Sequence, residues 1–334
     1  MSYLFPSLTI TFDAALRDLA SGSPKARASA AHALGGVTEP VERRRAGDAL
    51  LRALDDDRPE VRAEAASSLG ELGEIGALPA LIKRLDDGAA PVRQNAAIAL
   101  GTMRAIEGFE PLAEALAQGP ADLRFQAATS LAEIDPVKSF PHVVKALGDR
   151  DPQVVGAAAL SVGAIASEAG DPVLRETART ALAAQLAHTD AGARFDVAYA
   201  LADLDDASGT KVLVGSISDE GRAWDAVTAL AQIKALPELV QAVVSKKTPD
   251  EAAALAAGRV LALEPEHPGA RKLLTELLTS RKVHVRGIAI DQMSEVGGGW
   301  AKVALDKLAR SIKGSELLEP IANALRAIGG REKS

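Results

Sequence analysis

Chemistry in this chain of 334 residues would have to come from histidines, carboxylates and aromatic rings, because it contains no cysteine. That excludes disulfides, thiolate metal sites and cysteine nucleophiles, and it fits a reducing compartment. The five histidines, His32, His142, His188, His267 and His284, are scattered along the chain, and none is followed by glutamate. A metal site needs several ligands converging on one point, so no metal ligand set is expected. No G-x-S-x-G elbow, P-loop or dinucleotide fingerprint occurs. The pair Gly35-Gly36 and the run at 297–299 follow helical patterns and read as helix stops. No catalytic residue and no cofactor is expected.

What remains is a set of rings. Phe125, Phe195, Tyr199 and Trp224 are four of only ten aromatic residues in the chain. Phe195 and Tyr199 stand four apart, which puts them on one helix face. Asp196 and Asp225 directly follow Phe195 and Trp224, and Gln126 follows Phe125. Rings anchor interfaces and neighbouring acids steer cations, so this set suits a protein or peptide partner that is basic or amphipathic. Phe125, Phe195, Asp196, Tyr199, Trp224 and Asp225 are the candidate partner-binding residues; the alternative is that the rings fill inter-helix gaps left by so many alanines.

The elements that must position these rings recur. Arg27, Arg62, Arg93, Arg124, Val155, Arg194, Ala223, Ala254, Arg286 and Leu318 occupy equivalent places, mostly 31 or 32 residues apart. Seven residues beyond each stands an apolar residue: Leu34, Leu69, Leu100, Leu131, Val162, Leu201, Leu230, Leu261, Met293 and Leu325. Self-similarity at such a period signals a repeat architecture. Small or apolar residues three, four and seven places after the anchor mark a helical face. Pro24, Pro59, Pro120, Pro152 and Pro249 open these helices, where a missing N–H costs nothing. A second helical pattern precedes each, as in ALPALIKRLDD, and an Asp- or Gly-rich turn joins the two. The unit is a helix–turn–helix hairpin that cannot bury its apolar stripe alone and must stack on its neighbours. With 47% hydrophobic but only 3% aromatic residues, Ala and Leu must fill the core, and the fold class is all-α.

DDDRPEVRAEAASSLGELG and DDGAAPVRQNAAIALGTM resemble HEAT repeats, in particular the short bacterial kind found in phycobilisome lyases. The match is best over 24–135 and returns at 282–297. The resemblance implies a right-handed α-solenoid of about ten stacked hairpins, with the second helices lining the concave face where partners are held. It also implies a structural role for the signature arginines Arg27, Arg62, Arg93, Arg124, Arg194 and Arg286, paired with turn aspartates such as Asp57. The function expected is a non-enzymatic interaction scaffold. The alternatives are a phycobilin-lyase-like chromophore attachment or isomerase subunit and a HEAT-like nucleic-acid binder. A net charge of −7 opposes the last, since nucleic-acid surfaces are basic.

A single solenoid is expected over 12–330, with an apolar leader at 1–11 and a flexible tail at 331–334. The leader carries Tyr3 and Phe5, which either cap the first hairpin or dock a partner or a second copy. The arginine run Arg43-Arg44-Arg45, with Arg52, reads as a solvated helix face. The N-terminus lacks the basic and apolar regions of a secretory signal, and no run is long enough to span a membrane. A bacterial, cytoplasmic protein is expected.

Overall fold

The computed structural model describes residues 10–312 and 316–331; Tyr3 and Phe5 lie outside them. Among the described residues there are twenty α-helices and no strand. The chain forms two compact units, Met1–Ala181 and Leu182–Ser334. The first contains five hairpins: α1 (Phe12–Ser21) with α2 (Pro24–Gly35), α3 (Pro40–Ala53) with α4 (Pro59–Leu72), α5 (Leu78–Arg84) with α6 (Ala90–Thr102), α7 (Phe109–Gln118) with α8 (Ala121–Ile134), and α9 (Pro136–Ala146) with α10 (Pro152–Glu168). Helix α11 (Pro172–Ala183) follows. The second unit holds α12 (Ala191–Asp203) and four hairpins: α13 (Thr210–Ser216) with α14 (Ala223–Gln232), α15 (Leu236–Val244) with α16 (Asp250–Leu263), α17 (Pro268–Leu277) with α18 (Val283–Val296), and α19 (Gly299–Ser311) with α20 (Leu318–Arg331).

Within the first unit each second helix packs on the next, α2 on α4, α4 on α6, α6 on α8 and α8 on α10. Their contacts are close because small residues meet there. A Cβ added to Gly70 would stand 2.8 Å from the Cα and Cβ of Ala99, and one on Gly101 would stand 3.0 Å from the Ser130 Cα. Polar ties cross the same seams: Ser68 Oγ donates to the Ala31 carbonyl at 3.0 Å, and Asn95 Nδ2 to that of Ala63 at 2.9 Å. The leucines seven residues past each anchor are fully buried at Leu34, Leu69, Leu100 and Leu131, as are their counterparts through Met293. The last helix differs. Leu318 is exposed and Ile321, Ala324 and Ile328 are buried, so the repeat there is anchored on Leu317, one residue earlier than its sequence alignment suggests.

Several second helices close with one device. Gly73, Arg104, Asp205 and Lys234 stand eleven residues past their anchors with φ between 49° and 63°. The next N–H reaches back five residues, from Glu74 to the Leu69 carbonyl at 3.1 Å and from Ala105 to that of Leu100 at 3.0 Å. This is the Schellman closure of a helix, and it requires a left-handed residue at that place.

Candidate functional site

The repeat arginines have two jobs in the first unit. One Nη1 donates to a carbonyl of the turn in its own hairpin: Arg62 to Asp56, Arg93 to Asp87 and Arg124 to Gly119, each at 2.8–2.9 Å. The rest of the fork crosses to the following hairpin. Arg62 grips Asp87 through Nε at 2.9 Å and Nη2 at 2.8 Å, and Arg124 grips Asp149 at 2.8 and 2.7 Å. Arg27 pairs with Asp56 and Asp57. Arg93 turns to Asp122, in the first turn of α8, because the turn before that helix contains no aspartate. The hydrogen bonds from Arg62 lead in holding the Asp87 carboxyl below its ordinary range. At Asp149, burial pushes the carboxyl up, but the bonds from Arg124 and the Asp151 N–H outweigh it and the net direction is down. In the second unit, Arg194 and Arg286 keep the backbone bonds, to His188 and Ser280. Among the described residues neither has a carboxylate within ion-pair distance.

These side chains lie within and between hairpins, so the ligand-accessible surface must be sought where the second helices face outward. On α12 that strip is narrow: Asp196, Tyr199 and Asp203 are half-exposed while nearly everything between them is buried. On α14 it comprises Trp224, Asp225 and Thr228. Trp224 has 44% of its surface exposed. Phe195, expected among the surface anchors, is instead 5% exposed. It lies in the core of the second unit, 6.4 Å from the Tyr199 ring with the Arg222 guanidinium 5.4 Å over its face. The reason is the packing of neighbouring helices: the same place, one residue past the anchor, is buried on α12 but faces solvent on α14. Phe125, on α8 of the first unit, is 38% exposed beside Thr129, whose hydroxyl donates to the Gln126 carbonyl.

Electrostatics single out the α12–α14 surface. Burial lifts the Asp196 carboxyl above its ordinary range, with Arg222 pulling the other way and Asp190 adding to the lift. Burial also lifts Asp203. The Tyr199 hydroxyl is raised by burial and then by Asp203 and Asp225, so the phenol stands near acids of both helices. Asp203 is absent from the sequence-derived set. Its spacing, seven after Asp196 and four after Tyr199, was the available signal. The arginine run on α3 is also placed differently from a fully solvated face. Arg43 donates to the Leu72 carbonyl, and Arg45 reaches Asp13 at 3.3 Å with its guanidinium 5.0 Å over Phe12. Among the described residues no group of three or more histidines and carboxylates could hold a metal ion. None of the described helices is long and apolar enough to cross a membrane.

Known proteins show the same repeat. Residues 14–101 and 109–182 match the family model for HEAT repeats, and residues 92–118 match that for the PBS lyase HEAT-like repeat. No curated protein matches the sequence. Among solved structures, importin beta is 14% identical with a TM-score of 0.58, the match covering 95% of this chain and 52% of that one. Escherichia coli YibA is 19% identical with a TM-score of 0.51, covering 82% and 97%. The complex of CpcE and CpcF of phycocyanin lyase from Nostoc sp. PCC7120 is 22% identical over 79% of this chain and 99% of that one, with a TM-score of 0.46.

Proposed function

The chain is a HEAT-repeat α-solenoid protein, and from that premise we propose that it is a non-enzymatic scaffold that captures a basic or amphipathic protein segment on the second-helix face of its second unit. The observation that carries this reading is Trp224, an indole left exposed on α14 beside Asp225, with Asp196, Tyr199 and Asp203 on α12. Nearly half of the Trp224 surface is open to solvent, and tryptophan is among the side chains most often found at the energetic centre of an interface. The acids around it would raise the encounter rate of a cationic segment. Phe195 supports the platform from beneath.

A chromophore-attaching subunit is the competing reading, and its support is the lyase-type repeat at 92–118. A bilin carries two propionates and calls for cations beside the rings, whereas this face presents carboxylates. The scaffold reading fits that charge better.

The test is affinity capture from the native extract with wild type and Trp224→Ala. A protein retained by wild type, lost with Trp224→Ala at unchanged melting temperature and released by salt is the expected result. Equal retention by both proteins, or a coloured tetrapyrrole-bound fraction, would refute the proposal.

A further inference from the structure

The first unit carries a second feature that neither its core nor the proposed site uses. Ile75, Ile106 and Val137 stand thirteen residues past Arg62, Arg93 and Arg124, at the turn where each second helix hands over to the next first helix. They are 74%, 57% and 66% exposed. Val41 and Val173, the second residues of α3 and α11, are each 74% exposed as well. Isolated surface aliphatics need no explanation, but Ile75, Ile106 and Val137 occupy one structural place in consecutive hairpins. The stacking of α4 on α6, α6 on α8 and α8 on α10 therefore sets them in a row. The equivalent places in the second unit hold Ala207, Leu236, His267 and Gly299, so the row belongs to the first unit.

Its spacing is informative. Packed helices lie roughly 8–10 Å apart, so successive members of the row are separated by about that distance. An α-helix rises 1.5 Å per residue, so every seventh residue of a helix advances about 10.5 Å. An extended strand does not match, because its same-side residues recur at about 6.6–6.8 Å. Charge gives the partner's sign. Glu71 and Glu74 precede Ile75, Glu107 and Glu110 follow Ile106, and Glu133 and Asp135 precede Val137, against Arg104 and Lys138. Lys138 is already paired with Glu110 at 2.7 Å.

We propose that the turn edge of the first unit, through Ile75, Ile106 and Val137, docks a helix of a partner protein that carries an apolar residue at every seventh position with lysines or arginines beside it. The mechanism is a match of periods. Each hairpin supplies one aliphatic contact, and each heptad of the partner fills it. A straight helix drifts only about 20° per heptad, so three contacts stay on one face.

The probe is a fluorescein-labelled helical peptide of about three heptads, built from Ala and Lys with Leu at every seventh position. Its control has the same composition with the leucines every fifth position. Binding is read by anisotropy against the full chain as wild type, Ile106→Asp, Ile75→Asp and Trp224→Ala, with melting temperatures alongside. The heptad peptide should bind wild type about tenfold or more tightly than its permuted control, the factor expected for losing a buried aliphatic contact. Ile106→Asp and Ile75→Asp should each lose a similar factor with unchanged melting temperature. The affinity ratio between the heptad peptide and its permuted control should be the same in Trp224→Ala as in wild type, which separates this site from the proposed one. Equal binding of the two peptides, or equal affinity for wild type and both Asp variants, overturns the proposal. So does a row occupied by a second copy, seen as a wild-type dimer that Ile106→Asp converts to monomer.

Discussion

At Asp196 the proposed binding role would come at the expense of the fold. Its carboxyl is held above the ordinary range by burial, so the folded state binds its proton more tightly than the unfolded chain does. Such a group destabilises the fold at neutral pH, and the deficit is relieved as pH falls through the raised value toward the ordinary one near 3.9. Asp196→Asn should therefore raise the melting temperature of the second unit at pH 7 while weakening capture of a basic segment. Both tryptophans, Trp224 and Trp300, lie in that unit, so their fluorescence follows its unfolding selectively. A lower melting temperature for Asp196→Asn would show that the carboxylate is structural. The ladder aspartates behave oppositely. Asp87 and Asp149 are held below their ordinary range, so their contribution is complete above about pH 3.9 and is lost as pH falls through the lower folded values. Asp149→Ala strands a nearly buried Arg124 and should cost about 3 kcal/mol. Arg194→Ala, which removes only bonds to carbonyls, should cost about 1 kcal/mol. Circular dichroism in urea checks the first and tryptophan fluorescence the second.

At the scale of the helix, the repeat made most of the frame legible, and its silent positions explain what was missed. Pro59 and Pro152 mark helix starts, and Leu69 and Leu100 mark the core, because each uses the residue its place demands. Phe195 was not legible as core, since the place one past the anchor is buried on α12 and exposed on α14. The packing of neighbouring helices decides that, and the spacing within one helix does not carry it. The helix closures were half-legible. Gly73 announces a left-handed residue, but Arg104, Asp205 and Lys234 occupy the same place without the glycine signal. A non-glycine residue there is disfavoured by roughly 1–2 kcal/mol. Lys234 is exposed. Lys234→Gly should therefore stabilise the second unit by up to about 1 kcal/mol after the backbone entropy of glycine is charged against it. A fall in the fluorescence-detected urea midpoint would contradict that reading of the closure. Gly70→Ala should do the reverse, costing about 1–3 kcal/mol because the added methyl meets Ala99.

For the molecule as a whole, stability is expected to be local, the sum of hairpins and the seams between neighbours. Removing Glu74–Arg104, one full period, should leave a chain that still unfolds cooperatively with proportionately less helix. Removing half that stretch should not. Under the proposed function the same division of labour holds, with the signature residues building the seams and Trp224 and its neighbouring acids facing a partner. Trp224 with Asp196, Tyr199, Asp203 and Asp225 is the departure on which the account of function rests. The most direct measurement is Trp224 emission in a Trp300→Phe background, titrated with a lysine-rich amphipathic helical peptide at low and at physiological salt. The account predicts a saturable blue shift, weaker at higher salt because exposed charges are screened beyond about 10 Å, and weaker again in Asp196→Asn. Emission that stays constant while the peptide binds elsewhere, or a shift indifferent to both salt and Asp196, would contradict it.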